Sequence, residues 1–259
     1  LDFNLDNPIF SDRRVRQALL YALDRNQLVE QLFGGQQPVA HSNVSPLDQI
    51  YSGTVPVYDF DPDKAAQLLD KAGWSVFQNG VRHNLDGDRL SFPLMTTAGN
   101  KSRELVQQVL QSQWRTLGVE ALIRNEPARV FFGETMTKRA NHGLSMYAWL
   151  SAPESLPLST LRSDNIPNAD NGWSGQNYPG YENPRMDDVI DTIEIELDPK
   201  KRSPLWAELQ RLYATDLPAL PLFFRSEAYF FPKWLKGIRP TGHMSTTTNW
   251  VEEWSSETE

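Results

Sequence analysis

The chain has 259 residues and no cysteine, and 33 acidic against 25 basic side chains give it a formal net charge of −8. That balance argues against sequence-independent nucleic-acid binding, which needs clustered Lys and Arg to displace counterions from phosphates. The missing cysteine excludes thiolate metal sites, disulfide staples and cysteine nucleophiles. No apolar run approaches the roughly 18–20 residues that span a bilayer.

Residues 1–6 have neither the basic start nor the apolar centre of a signal peptide. Opening on Leu1 instead of Met, the chain reads as a processed product or a fragment. Ser11 is a good N-cap, and Val15, Ala18, Leu19, Ala22 and Leu23 form an apolar stripe that continues through Val29 and Leu32. This predicts one helix, stopped by Gly34-Gly35. A loop with Pro38, Pro46 and Pro56 leads to Asp61-Pro62, which opens a helix with proline where its missing N–H costs nothing. Its apolar face is Ala65, Leu68, Leu69 and Ala72, and Gly73 ends it.

Asp86-Gly87, between 81–85 and 89–95, is a two-residue hairpin signal because both central positions want positive φ. A helix follows over 101–117, with Val106, Val109, Leu110, Gln113 and Leu117 along one side. Gly118 breaks it, and Val119, Ala121 and Ile123 alternate like a half-buried strand. A helix over 130–138 and a short strand over 144–149 come next. Residues 151–184 change character: Pro, Ser, Asn and Gly dominate, and a patternless stretch of that length inside a domain is usually functional. Two helices follow, one with Met186, Val189, Ile190, Ile193 and Leu197, the other with Trp206, Leu209 and Tyr213. Residues 218–231 read as paired strands and 240–259 as irregular, so the class is α/β or mixed α+β.

Catalytic motifs fail one at a time. Neither Gly-x-Ser-x-Gly nor Gly-x-x-x-x-Gly-Lys occurs, and Ser163-Asp164-Asn165 lacks the Ser-x-x-Lys that would make it a penicillin-binding signature. His41, His83, His142 and His243 stand alone, so a transition-metal site would have to come from distant parts of the chain. The sequence from Asn84 to Asp88 suggests a calcium loop, but Arg82 stands where that loop needs an acid, and a hairpin turn fits better. Asp187, Asp188, Asp191 and Glu194 read as a solvated helix face, not as acid–base carboxylates. What remains is an aromatic and polar set on loops: Trp149, Trp173, Tyr178 and Tyr181 with Asn171, Gln176 and Asn177. It suits a pocket wall that stacks on a ligand, and equally a set of pins for a long loop.

Residues 7–19, Asn-Pro-Ile-Phe-Ser-Asp-Arg-Arg-Val-Arg-Gln-Ala-Leu, run on to Ala22-Leu23-Asp24-Arg25. Beyond them come Asp61-Pro62-Asp63-Lys64-Ala65-Ala66, Leu117-Gly118-Val119, Tyr181-x-Asn183-Pro184-x-x-Asp187 and Leu217-Pro218-Ala219-Leu220-Pro221-Leu222, with Gly237 after them. In this order the motifs resemble the bacterial extracellular solute-binding proteins of family 5, the oligopeptide, dipeptide and nickel receptors of ABC importers. The likeness covers about 3–240. It implies an α/β lobe of a two-lobe type II periplasmic-binding-protein fold, a mixed sheet flanked by helices. Residues 1–236 would form the C-terminal ligand-binding lobe, and 237–259 a tail that packs on an absent N-terminal lobe.

The resemblance implies a periplasmic receptor, or an extracellular one tethered to the membrane in a Gram-positive cell. It would capture a peptide or peptide-like solute between lobes and deliver it to permease subunits, with no catalysis, cofactor or metal. The rival is the ligand-sensing domain of a transcriptional regulator. Arg103 falls at a ligand-contacting position near the start of its helix, where a cation can pair with a carboxylate. Arg225 stands where relatives place a ligand-facing aromatic, and Asn177 and Tyr178 match the loop that lines the cleft. Trp149, in segment 146–153, replaces the Asp that takes a peptide's ammonium group. An indole offers cation–π attraction of about 0.5–2 kcal/mol or a flat stacking surface in place of that charge-assisted bond. Trp173 joins the expected binding set from the aromatic inventory.

Overall fold

Asn and Asp side chains start most of the helices of this chain. The computed structural model describes residues 1–150, 152, 154–240 and 247–257; Ser151, Pro153 and His243 lie outside the described residues. Strand β1 is Asp2–Phe3, followed by the short α1 at Pro8–Ser11, α2 at Arg13–Tyr21 and α3 at Arg25–Phe33. The single expected helix is therefore two, with the break at Ala22–Asp24. Asp12, not Ser11, caps α2 by accepting from the Arg14 N–H, and Asp24 restarts the chain by accepting from Gln27. An apolar stripe does not report a break when both halves bury the same face. Gly34 ends α3 in the left-handed conformation, as predicted.

Helix α4 is Pro62–Lys71, capped by Asp61. Strands β2 (Val76–Gln78) and β3 (Val81–His83) form an antiparallel hairpin. Its turn is Asn79-Gly80, both at positive φ, a turn signal the sequence reading passed over. The expected Asp86-Gly87 turn is displaced by one residue: the Gly87 N–H bonds Asn84 O at 3.2 Å around Leu85 and Asp86, only Gly87 takes positive φ, and the flanks meet at a single bridge between His83 and Arg89. Strand β4 (Ser91–Thr96) goes instead to the main sheet, because buried Phe92 and Leu94 need a covered face. Helix α5 is Lys101–Thr116 and β5 is Glu120–Ile123. A helical stretch follows, α6 at Ala128–Val130 running into a π-helical turn at Phe131–Met136, and then β6 at Leu144–Met146.

The patternless stretch holds α7 at Leu158–Leu161 and a 3-10 turn at Ser163–Asn165. Helices α8 (Pro184–Ile195) and α9 (Pro199–Asp216) each begin on proline behind an Asn or Asp cap. Beyond them lie β7 (Leu235–Lys236), a 3-10 segment at Thr247–Glu253 and β8 (Ser255–Ser256), which pairs with β7. The tail is thus partly regular. Residues 218–231 do not pair with each other: Ala219 bridges Asp2, and Phe223 bridges Val39.

The main sheet runs β1-β6-β4-β5, with β4 parallel to both β5 and β6 and β1 antiparallel at the edge. Its core gathers Phe3, Phe10, Leu19, Leu69, Phe92, Leu110 and Trp114 between sheet and helices. A second core lies in the α7–α9 layer around Met186, Ile190, Trp206 and Leu209. Met95, Phe131 and Met136 form a small third one, with Tyr147 and Tyr178 packed against it. This last cluster underlies the site.

Candidate functional site

Parallel strands leave their C-terminal ends open wherever neighbouring connections diverge, and such an edge is where α/β sheets receive ligands. In this sheet β4, β5 and β6 end together. The chain after β4 bridges to that after β5 at Thr97 and Glu126, and Thr96 Oγ1 donates to Met146 O at 2.7 Å. Asn100 then caps α5 by accepting from the Arg103 N–H at 3.1 Å, which places Arg103 in the first helical turn beside that edge. Its Nη1 donates to Thr97 Oγ1 at 3.2 Å.

Arg225 reaches the same place from the far end of the chain. Ala40 N donates to Leu222 O at 3.1 Å and Phe224 N to Pro38 O at 2.8 Å, so 222–226 runs along 36–40. Ser226 N closes the run on Gln37 Oε1 at 2.7 Å. Burial and then the positive charge of Arg225 hold the Arg103 guanidinium below its ordinary range. Among the described residues, no ion pair joins either guanidinium to a carboxylate. Like charges brought together without a counterion disfavour each other and attract an anion.

On the β6 side the rings form a wall. Tyr147 meets Phe131 at 6.1 Å and Phe132 at 5.7 Å edge to face, and meets Trp149 at 5.6 Å and 71°. Trp149 stacks on Tyr178 at 6.1 Å and 21°, yet stays 45% exposed. Such contacts contribute about 0.5–1.5 kcal/mol each beyond area burial, so the wall holds its shape while showing ring faces.

Tyr178 owes its place to its loop. Asn177 is fully buried: its Nδ2 donates to Arg162 O and Tyr181 O, and its Oδ1 accepts from Tyr181 N at 2.9 Å. With both amide hydrogens engaged and no exposed surface, Asn177 ties the loop and offers no face to a ligand, a correction to its expected contact. Arg139 Nε donates to Tyr178 O at 3.1 Å while its Nη2 pairs with Asp6 at 2.7 Å. The guanidinium passes so close to Gly180, at φ +73°, that a Cβ there would lie 1.9 Å from it. Arg139 and Gly180, which the sequence reading did not select, therefore position Tyr178.

Trp173 sits apart. It occupies a left-handed position in a turn where its N–H donates to Asn168 O at 2.8 Å, and no ring contact joins it to the wall among the described residues. The structure thus groups Arg103 with Arg225 and Trp149 with Tyr178, makes Asn177 a support, and leaves Trp173 outside.

These features define a class: the α/β body matches about half of a type II periplasmic binding protein. The AppA oligopeptide-binding protein of Bacillus subtilis, in complex with a nonapeptide, superposes with a TM-score of 0.83 at 26% identity, covering 99% of this chain and 50% of its own. The oligopeptide binding protein of Thermus thermophilus, complexed with a pentapeptide, gives 0.80 at 33% identity over 86% of this chain and 40% of its own. NikZ of Campylobacter jejuni, in complex with Ni(L-His), gives 0.81 at 26% over 98% and 51%. In sequence, the Bacillus AppA is 28% identical over 241 residues, 92% of this chain and 43% of that protein. The profile described as "Bacterial extracellular solute-binding proteins, family 5 Middle" matches residues 1–166, and the chain belongs to that family. It spans less than half the length of the curated relatives it matches.

Proposed function

We propose that this chain is one lobe of an ABC-importer receptor, outside the cytoplasm, that closes on a peptide or peptide-like solute bearing an anionic group. Residues 1–236 form the binding lobe, and a second lobe of the same polypeptide supplies the opposite wall and packs against 237–259. Closure buries the solute between lobes, and the closed form presents it to the permease. One observation carries the reading: Arg103, in the first turn of α5, and Arg225, from the C-terminal stretch, come close enough for one charge to disfavour the other, with no ion pair to a carboxylate among the described residues, while half-exposed Trp149 follows β6 at the same sheet edge. A carboxylate entering there gains charge-assisted hydrogen bonds from guanidinium donors. Ring faces of Trp149 and Tyr178 then take a flat or cationic portion. The membership in a family of solute receptors supports the same assignment.

Solutes released by denaturing the whole receptor, purified from its own cells, identify the cargo by mass spectrometry. A peptide or peptide-like molecule with a free carboxylate is expected. A cargo without any anionic group would refute the role given to the arginines.

A further inference from the structure

The site so far leaves the carboxyl of Asp2 without a role. Asp2 lies on edge strand β1 and is only 8% exposed. Its backbone is held on two sides, in register with Ser145 of β6 and bridged to Ala219. The Tyr147 hydroxyl donates to its Oδ2. Burial pushes Asp2 above the usual carboxylate range, and burial also pushes the Tyr147 phenol well above its own, so the phenol keeps its proton and remains the donor.

Tyr147 is the middle ring of the wall, touching Phe131, Phe132 and Trp149. A phenol free to rotate would carry the Trp149 contact with it. A buried hydroxyl left without its acceptor is costly, so the rigidly placed carboxyl selects one orientation for the ring.

We propose that Asp2 is the positioning residue of the aromatic wall: its carboxyl, through the Tyr147 hydroxyl, fixes the plane in which Trp149 meets a solute. Asp2 itself touches no solute. The inference rests on the reading of Trp149 and Tyr178 as solute-facing.

The test uses the whole receptor with 15N-labelled tryptophan, the Trp149 indole signal being assigned by its loss in Trp149→Phe. In Asp2→Ala the Trp149 indole signal moves while indole signals remote from the wall stay, and affinity for penta-alanine with free termini drops about tenfold. Asp2→Asn, which keeps the shape and one acceptor oxygen, restores most of the indole position and most of the affinity. An unmoved Trp149 signal in Asp2→Ala, with folding intact, overturns the proposal. So does an Asp2→Asn variant that is folded yet as displaced as Asp2→Ala. If Trp149 follows Asp2 but ignores saturating penta-alanine that does bind, the positioning role stands and the solute-facing role of the wall fails.

Discussion

Two stretches of this chain are extended, rich in large rings and only partly covered, and they differ in what stands behind them. After β6, Tyr147 and Trp149 lean on Phe131, Phe132 and Tyr178, over a small core of Met95, Phe131 and Met136. In the tail, Tyr229, Phe230, Phe231 and Trp234 are all exposed, Phe230 at 93%. Among the described residues, the tail rings have one mutual stack, Tyr229 on Phe231, and no apolar core beneath them. The first stretch is a surface already organised for a small solute. The second has the composition of an interface with its other half elsewhere, and it lies just before the segment 237–259 proposed to pack on a second lobe.

Substitutions separate the two. Phe131→Ala, beneath the wall, lowers the stability of this chain by about 3–5 kcal/mol, whereas Phe230→Ala changes it by less than about 0.5 kcal/mol. Denaturant unfolding of both variants measures the contrast; equal losses would erase the distinction. Next in size, Gly180→Ala costs about 1–2 kcal/mol from the left-handed backbone alone. It also displaces Arg139 from Tyr178, so it loosens the wall and leaves the tail untouched; fluorescence of Trp149 against the other tryptophans reads this.

A pH effect at acid pH is expected of the wall. The native carboxyl of Asp2 binds its proton more tightly than the unfolded one, whose value is 3.8. Stability is therefore fully present below that value and declines as pH climbs through the native one. Asp2→Asn flattens this slope, and thermal unfolding as a function of pH measures it. Trp149→Ala also costs little stability, within about 1 kcal/mol, because the ring is half exposed. Its effect falls on solute affinity, read by calorimetry.

Legibility in the sequence followed the range of the interaction. Local chemistry spoke plainly: Asp61-Pro62 announced α4, and the apolar spacings over 101–117 and from Met186 to Leu197 each announced a helix that the structure has. The break at Ala22–Asp24 was invisible because one apolar stripe serves both helices, and Asp24 became a cap only through tertiary placement. The Asn79-Gly80 turn was readable and passed over, its strands being just three residues each. For the site, the family resemblance pointed to Arg103 and Arg225, while the path of Arg225 depends on 222–226 lying along 36–40, 182 or more residues away. Trp149 and Tyr178 were legible as rings on loops. Asn177 and Trp173 were not separable from them, because a buried loop anchor and a solute contact use the same residue types. Asp2 gave no signal at all, being a carboxyl on a two-residue edge strand.

Arg103 and Arg225 are proposed to await an anion at the sheet edge that also carries the aromatic wall. Calorimetric titration of the whole receptor with free-acid and C-terminally amidated penta-alanine, in wild type and in the Arg103→Ala/Arg225→Ala double variant, tests this proposal most directly. Wild type is expected to prefer the free acid by about tenfold or more, and the double variant to lose the preference while staying folded. Equal affinities for acid and amide in wild type, or a preference that survives both substitutions, would contradict it.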